Sequence, residues 1–174
     1  RNNNELVAIF GNFVNRVIVL INKYWDGSVP ARGEIHEEDE NLINKIIQYP
    51  KKIGKSIEKY KFREALFEVI NLARLGNKYL ADNEPWKQIK INPKRAETIL
   101  NISIQMVFSL SVLSKPFLPK TSKKLCKILN SDFSNWDCSS EINNIKEDHK
   151  IGPPEHLFEI IDNEKINDEI SKLN

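Results

Sequence analysis

Hydrophobic positions recur every three or four residues through most of this chain, which is the period of an α-helix with one buried face. The first such stretch spans about Asn4 to Trp25, and the turn-forming sequence Asp26-Gly27-Ser28 ends it. Its apolar positions are Leu6, Phe10, Phe13, Val17, Leu20 and Tyr24. The pattern therefore predicts a long amphipathic first helix.

Two further helices are predicted by the same period. The second begins near Glu37, where four consecutive acidic residues occupy a first turn that the helix dipole makes favourable for them. We expect the Tyr49-Pro50 step to kink or interrupt it, because proline removes a backbone hydrogen bond. The third helix runs from about Lys61 to Leu80.

The remaining elements shorten towards the end of the chain. Asn92-Pro93 reads as an N-cap followed by proline at the first position of a fourth helix, and a short fifth helix covers Ser122 to Leu129. Residues 130–160 lack a regular pattern, apart from a weakly extended stretch near Lys150, and Ile161 to Leu173 predicts a short last helix. The fold class is therefore all-α: an antiparallel bundle of about five helices over residues 1–130, with an irregular extension over 131–174.

Composition excludes several other classes of protein. Six glycines and eight prolines in 174 residues are too few for the many turns of a β-sandwich or barrel. Two cysteines, Cys126 and Cys138, fit a reducing cytoplasm better than a disulfide scaffold. No apolar run approaches the length of a membrane span, so we expect no membrane association. Because the sequence opens at Arg1 directly in a helix, we expect it to be a piece of a longer protein.

Charge is strongly segregated although the net value is only +2. Residues 1–43 carry −3, residues 44–127 carry +12, and residues 128–174 carry −7. A strongly basic middle suits a polyanion such as nucleic acid. The alternative is that lysine is used heavily throughout and forms an ordinary solvated surface.

Asn12 and Arg16 form the first candidate site. They lie four residues apart, hence on one flank of the first helix, at the edge of the stripe centred on Phe13. An amide offers both a donor and an acceptor, and a guanidinium can stack or bind two acceptors. The alternative is that Arg16 is a boundary residue paired with Glu5 or with an acid of a neighbouring helix.

Trp86 forms the second candidate site, because it follows Pro85 at the exit of the third helix and not at a core position. A tryptophan held by proline in a loop can stack on an unpaired base. The alternative is a tryptophan that fastens the loop to the bundle. Trp25 and Trp136 are better explained as packing residues.

Catalytic and metal-binding patterns are not found in the sequence. His36, His149 and His156 have no cysteine or acid at ligand spacing, so no zinc site is expected. Gly54-Lys55-Ser56 lacks the upstream glycine of a phosphate-binding loop. We therefore expect no catalytic residue in this chain.

Several strings, in order along nearly the whole chain, resemble the anticodon-binding domain of class I methionyl-tRNA synthetases. They are Gly11-Asn12-Phe13-Val14-Asn15-Arg16, Asn22-Lys23-Tyr24-Trp25-Asp26-Gly27, Asn77-Lys78-Tyr79-Leu80, Glu84-Pro85-Trp86-Lys87, Lys115-Pro116-Phe117-Leu118-Pro119 and His156-Leu157-Phe158-Glu159.

The resemblance implies that the chain reads the CAU anticodon of methionine tRNA. Trp86 would stack on an anticodon base with Pro85 fixing its position, and Asn12 and Arg16 would contact exposed bases. Lys87 and Lys90, close to Trp86 in sequence, are the candidates for phosphate contacts.

The family's catalytic signature strings are absent, so the resemblance implies a non-catalytic fragment of a methionine–tRNA ligase. The sites for ATP and methionine, and any zinc, would lie in a catalytic domain outside this sequence, towards which residues 131–174 would pack. The fragment alone would be a monomer.

Three alternatives stay open from the sequence. The first is the anticodon domain of a sister class I synthetase. The second is a helical protein-interaction module whose basic middle faces an acidic partner. The third is a domain whose acidic tail docks on that basic middle and prevents RNA binding.

Overall fold

A computed structural model describes residues 2–133, 135–162 and 171–172. The first helix is π-helical over Asn2–Gly11 and continues as α1 (Asn12–Trp25); it is followed by α2 (Glu37–Glu58), α3 (Phe62–Asn83), α4 (Pro85–Ile91), α5 (Pro93–Leu113) and α6 (Pro119–Leu129), with a 3₁₀ turn at Asp137–Ser140. Among these residues five helices have 11 or more residues, which confirms the all-α bundle. Strand-like pairing in the described ranges is limited to one bridge between Ser28 and Lys150.

The central helix of the bundle is α5, which is buried on almost every side. Its hydroxyl groups do not disturb the core, because each bonds within the bundle: Ser103 donates to the carbonyl of Ile99, and Ser109 to that of Gln105. Contrary to the expectation that no apolar stretch reaches the length of a membrane span, the segments Asn2–Trp25 and Pro93–Leu113 are both long and apolar enough to cross a membrane by length and composition. In α5 this apolarity reflects burial, since 94% of the most apolar window lies inside the bundle.

Three helices approach closely at Gly76 of α3. A Cβ atom there would lie 2.5 Å from Cζ of Phe13 in α1 and 2.7 Å from Sδ of Met106 in α5. Both distances are below van der Waals contact, so only glycine fits. This crossing sets the spacing between α1 and α3, and therefore the position of the neighbouring polar residues.

Two predictions about local helix structure had opposite outcomes. The Asn92 side chain accepts a hydrogen bond from the backbone N–H of Arg95, which confirms the predicted N-cap of α5. The predicted interruption at Pro50 is wrong, because α2 is one continuous helix from Glu37 to Glu58. Pro50 is buried, and its carbonyl accepts a bond of 3.3 Å from Nε1 of Trp136, so the proline is held within the helix by packing.

The predicted packing roles of two tryptophans are confirmed. Trp25 and Trp136 are half-buried and both pack against the hydrophobic core.

The irregular segment after α6 packs on the bundle. Backbone atoms of Ile145 exchange two hydrogen bonds with the buried side chain of Gln105, and Asn22 of α1 donates to the carbonyl of Gly152. Further along, Phe158 meets Phe10 edge to face, with ring centroids 5.8 Å apart. The segment thus runs back along the first helix towards its beginning. The predicted last helix over 161–173 lies largely outside the described residues.

Candidate nucleic-acid interface

Arg16 and Trp86 come together across the bundle. Cζ of Arg16 lies 4.9 Å from the centre of the Trp86 ring, so the guanidinium covers one face of the indole. Both side chains are half-buried, with their stems on the core and their polar atoms at its edge. The alternative interpretation of Arg16, a pair with Glu5 or another acid, is therefore replaced by a cation–π contact in the described chain.

Trp86 does not lie in a loop, as the sequence predicted, but in the first turn of the short helix α4. Glu84 is the single residue between α3 and α4, and its φ of 43° places it in the left-handed region. Pro85 occupies the first position of α4, where its missing N–H has no partner to lose, and it is buried. The sharp reversal and the buried proline together fix the position of Trp86.

Asn12 is exposed one turn before Arg16 on α1, and α3 holds it in place. Its Nδ2 donates to Oδ1 of Asn77 over 3.1 Å. Asn77 in turn donates to the carbonyls of Ile9, at 2.8 Å, and Ala73, at 3.2 Å. These bonds fix the Asn77 side chain between the two helices. They leave Oδ1 of Asn12 as an acceptor without a partner in the described ranges.

A groove of about 400 Å³ opens beside Asn12, between the first helix and the returning C-terminal segment. Asn15 and Gly11 line it on the helix side, and His156 and Phe158 on the other. Polar side chains at its wall can bond the edge of a planar group that enters it.

A buried ion pair supports the Trp86 side of the site. The Arg95 guanidinium bonds both carboxylate oxygens of Asp39, at 2.5 and 2.9 Å. Tyr79 of α3 donates to the same carboxylate over 2.5 Å, and Nη2 of Arg95 donates to Oδ1 of Asn83 over 2.8 Å. Because Asn83 ends α3 directly before Glu84, this network ties the helix reversal to α2 and α5.

The carboxylate at the centre of this network stays ionised. Burial opposes its ionisation, but hydrogen bonds from Arg95, from Tyr79 and from the backbone N–H of His36 outweigh burial and lower the pKa of Asp39. Burial, together with the bond to the Asp39 carboxylate, raises the pKa of the Tyr79 hydroxyl, which therefore remains a donor. Asp39 and Arg95 are thus both charged at neutral pH, and Tyr79 and Asn83 are neutral partners of the ion pair.

The two lysines predicted as phosphate contacts are both exposed on α4. Lys87 forms an ion pair with Glu84, with Nζ 2.8 Å from Oε1, so part of its charge is already balanced. Lys90 lies one turn after Trp86 and hence on the same helix face. Within the ranges described, no ion pair involves Lys90, so its charge is the more available of the two.

The structure therefore brings Arg16, Pro85 and Trp86 together, and it places Asn12 one turn away. Sequence reasoning missed Asn77 and the buried Asp39. Asn77 stood within one of the resembling strings, and no periodic signal separated it from its neighbours. Asp39 was hidden in the acidic first turn of α2, where four acids look equivalent but only this one is buried; Glu38, which also bonds Arg95 of α5, is exposed.

Metal ligands and thiols are the remaining groups in the described ranges that could carry chemistry. These residues contain no group of three or more histidine, cysteine or acidic side chains that could hold a metal ion. Cys126 and Cys138 are free thiols, and burial raises the pKa of both.

Comparison with known proteins gives one family match, to the anticodon binding domain of methionyl tRNA ligase, over residues 29–173. Among curated proteins, the chain is 49% identical over 173 residues to the methionine–tRNA ligase of Cytophaga hutchinsonii and 50% identical over 175 residues to that of Flavobacterium psychrophilum. Each alignment covers 99% of this chain but only 25% and 26% of the relative. The chain thus spans about a quarter of these proteins.

Among solved structures, the apo form of Mycobacterium tuberculosis methionyl-tRNA synthetase matches with a TM-score of 0.86. The match covers 93% of this chain and 34% of that one, at 21% sequence identity. At this identity the likeness shows the fold, which is a helix bundle forming about a third of a longer polypeptide.

Proposed function

This chain belongs to the family of anticodon-binding domains of methionyl-tRNA ligase, and on that premise we propose that it recognises the CAU anticodon of methionine tRNA. The whole ligase would attach methionine to this tRNA in an ATP-dependent reaction. The present chain, a quarter of such a protein, contributes recognition and no catalytic residue.

The Arg16–Trp86 pair carries the proposal. Sequence-specific proteins read single-stranded RNA by stacking splayed bases on aromatic rings or guanidinium planes and by bonding their edges. One face of the Trp86 ring is covered by Arg16, at 4.9 Å, so an anticodon base stacks on the other face or displaces the guanidinium. Either arrangement uses both residues for one base.

Edge recognition is assigned to Asn12. Asn77 fixes its amide group, and the remaining acceptor Oδ1 is exposed beside the groove. An oriented donor and acceptor can distinguish bases, which a stacking surface cannot do. Lys90, and Lys87 with its partly balanced charge, would hold backbone phosphates around the loop.

The rest of the ligase completes the proposal. The sites for ATP and methionine, and any zinc, belong to a catalytic domain outside this chain, and residues 131–174 would pack towards it. We place the enzyme in the cytoplasm and expect the isolated chain to be a monomer.

A binding experiment tests this function. The chain would be titrated with a methionine anticodon stem-loop, and with the same stem carrying a permuted anticodon, at low and moderate salt. Trp86→Ala would be measured beside the unchanged protein, with Ile91→Ala, at a 76% exposed position of the same helix, as the matched control.

The proposal expects weaker binding for the permuted loop and for Trp86→Ala, with a similar salt dependence in each case, because phosphate contacts are unchanged. Ile91→Ala should bind like the unchanged protein. If the permuted and native loops bind alike, the chain does not read the anticodon. Equal binding to an acidic protein would instead favour the protein-interaction module.

A further inference from the structure

A second basic surface lies on α6, away from the Trp86 site. Four lysines, Lys120, Lys123, Lys124 and Lys127, recur at spacings of three and four and so share one face of the helix, here called the α6 lysine face. The opposite face is buried in the bundle through Ser122, Leu125, Ile128 and Leu129.

The α6 lysine face borders a groove of about 1040 Å³. Lys115 stands at the groove with its Nζ 5.0 Å from the centre of the Phe133 ring. Two acids, Asp132 and Glu155, also line it, so five lysines face two carboxylates. The groove therefore keeps a net positive charge.

Little of this charge is used within the protein. Lys124 pairs with Glu155 at 3.5 Å and donates to the carbonyl of His156. Across residues 2–133, 135–162 and 171–172, no ion pair involves Lys120, Lys123 or Lys127. By contrast, the basic residues Lys52, Lys61, Lys78 and Lys87 each pair with an acid.

Lys120 does not stabilise the helix that carries it, although Lys127, in the last turn, complements the helix dipole. The first turn of α6 has no acidic residue, and Lys120 lies there, against the positive end of the helix dipole. Helix stability would favour an acid at this end. A ligand that supplies negative charge from outside is the simplest physical reason for the pattern.

The position of α6 relative to Trp86 indicates which anionic ligand binds the α6 lysine face. The hydroxyl of Ser122 in α6 bonds the carbonyl of Ser111 at the end of α5, whereas α4 with Trp86 is joined to the beginning of α5 through Asn92. The 21 residues of α5 separate these ends by about 30 Å. When its anticodon lies at Trp86, a tRNA has backbone phosphates about 30 Å away, in its parts outside the anticodon.

Resting on the function proposed above, we propose that the α6 lysine face binds backbone phosphates of tRNA outside the anticodon. This contact carries no sequence information. It adds affinity and positions the RNA, while the Arg16–Trp86 site reads the bases.

The test compares two triple substitutions in the full chain. Lys120→Gln, Lys123→Gln and Lys127→Gln remove three charges from the α6 lysine face. Lys45→Gln, Lys51→Gln and Lys55→Gln remove three charges from α2, which are also exposed, as the matched control. Binding of a methionine tRNA transcript, and of one with a permuted anticodon, is measured at several salt concentrations, with folding checked by circular dichroism.

We expect the α6 variant to bind both transcripts more weakly by the same factor. The negative slope of log K against log salt concentration should become less steep by about 2 to 3. The α2 variant should change the slope by less. An unchanged slope, an equal effect of the α2 variant, or a changed preference between the two anticodons overturns the proposal. An α6 face that binds an acidic polypeptide instead would give the unchanged slope.

These outcomes are separate from those that test anticodon reading. If Trp86→Ala keeps the preference for the native anticodon while the α6 variant lowers the slope, base reading at Trp86 fails and the phosphate surface stands. The reverse result removes only the phosphate surface.

Discussion

The guanidinium of Arg16 lies over the indole ring of Trp86, with Cζ 4.9 Å from the ring centre, and so links α1 to the first turn of α4. The two residues are 70 positions apart in the sequence, and each belongs to a string that also carries the family resemblance. Their contact turns two separate candidates into one site.

This contact should be measurable without RNA. Unfolding by urea of the unchanged chain, Arg16→Ala, Trp86→Ala and the double variant forms a mutant cycle. We expect a coupling free energy of about 0.5 to 1 kcal/mol, the range of a cation–π pair near the surface. A coupling indistinguishable from zero would mean that the two side chains do not interact in solution. Arg16→Lys keeps the charge but loses the planar group, and should retain only part of the coupling.

Replacing Asn77 should disturb the candidate site, although Asn77 itself is assigned no contact with RNA. In Asn77→Ala the carbonyls of Ile9 and Ala73 lose a donor, and Asn12 loses the partner that holds its amide. We expect a loss of unfolding free energy of about 1 kcal/mol, together with weaker discrimination between native and permuted anticodon loops. Asn71→Ala, on the same helix, is the comparison. Unaltered discrimination would show that Asn12 is positioned without Asn77.

Substituting the buried carboxylate should have a large effect that depends on pH. Asp39→Asn leaves the buried Arg95 guanidinium with the exposed Glu38 as its remaining charged partner, and we expect a cost of about 3 to 5 kcal/mol at pH 7. The folded-state pKa of Asp39 is lowered, so its contribution is complete above the unfolded value of about 3.9 and is lost as pH falls through the lower folded value.

The gap in unfolding free energy between the two proteins should therefore be constant above about pH 5 and narrow below about pH 4. Glu40→Gln, at an exposed position of the same helix turn, should leave stability nearly unchanged. A gap that stays constant down to the acid transition would contradict the lowered pKa.

Two glycine substitutions should act in opposite directions. Gly76→Ala places a methyl group 2.5 Å from Cζ of Phe13, and we expect a loss of about 1 to 3 kcal/mol from overpacking. Gly54→Ala, inside α2, meets nothing closer than Nε1 of Trp136 at 3.8 Å, so the helix preference of alanine should stabilise it by up to about 1 kcal/mol. Thermal or urea unfolding of both variants measures these changes in stability. Equal effects of the two substitutions would mean that the α1–α3 contact is looser than the structure shows.

The sequence predicted most of the helices because their burial is one-sided. A stripe such as Phe10, Phe13 and Val17 repeats with the period of a helix, which can be recognised without knowing what packs against it. Asn92-Pro93 likewise marks a helix start by local chemistry alone. The interruption of α2 predicted at Pro50 is wrong, because local sequence alone does not determine the effect of this proline. Its effect on α2 depends on contacts from Trp136, which is 86 residues away along the chain.

The candidate site was predictable in its residue types but not in its assembly. Trp86 was placed in a loop because Pro85 usually signals an end, yet here the proline begins a new helix after one left-handed residue. The role of Asp39 could not be inferred, because its neighbours in sequence are also acids and only tertiary packing selects the one that is buried against Arg95. The role of Asn77 likewise could not be inferred, because it depends on a hydrogen bond to the carbonyl of Ile9 in another helix.

The direct junction of α3 and α4 at Glu84 affects how tightly the chain can hold RNA. A tryptophan on a long mobile loop would lose conformational entropy whenever a base bound, and affinity would fall accordingly. Here the reversal takes one residue, Pro85 is buried, and the Asp39–Arg95 pair holds Asn83 beside it. The indole is therefore ordered when the protein folds, and binding an anticodon base does not have to restrict it again.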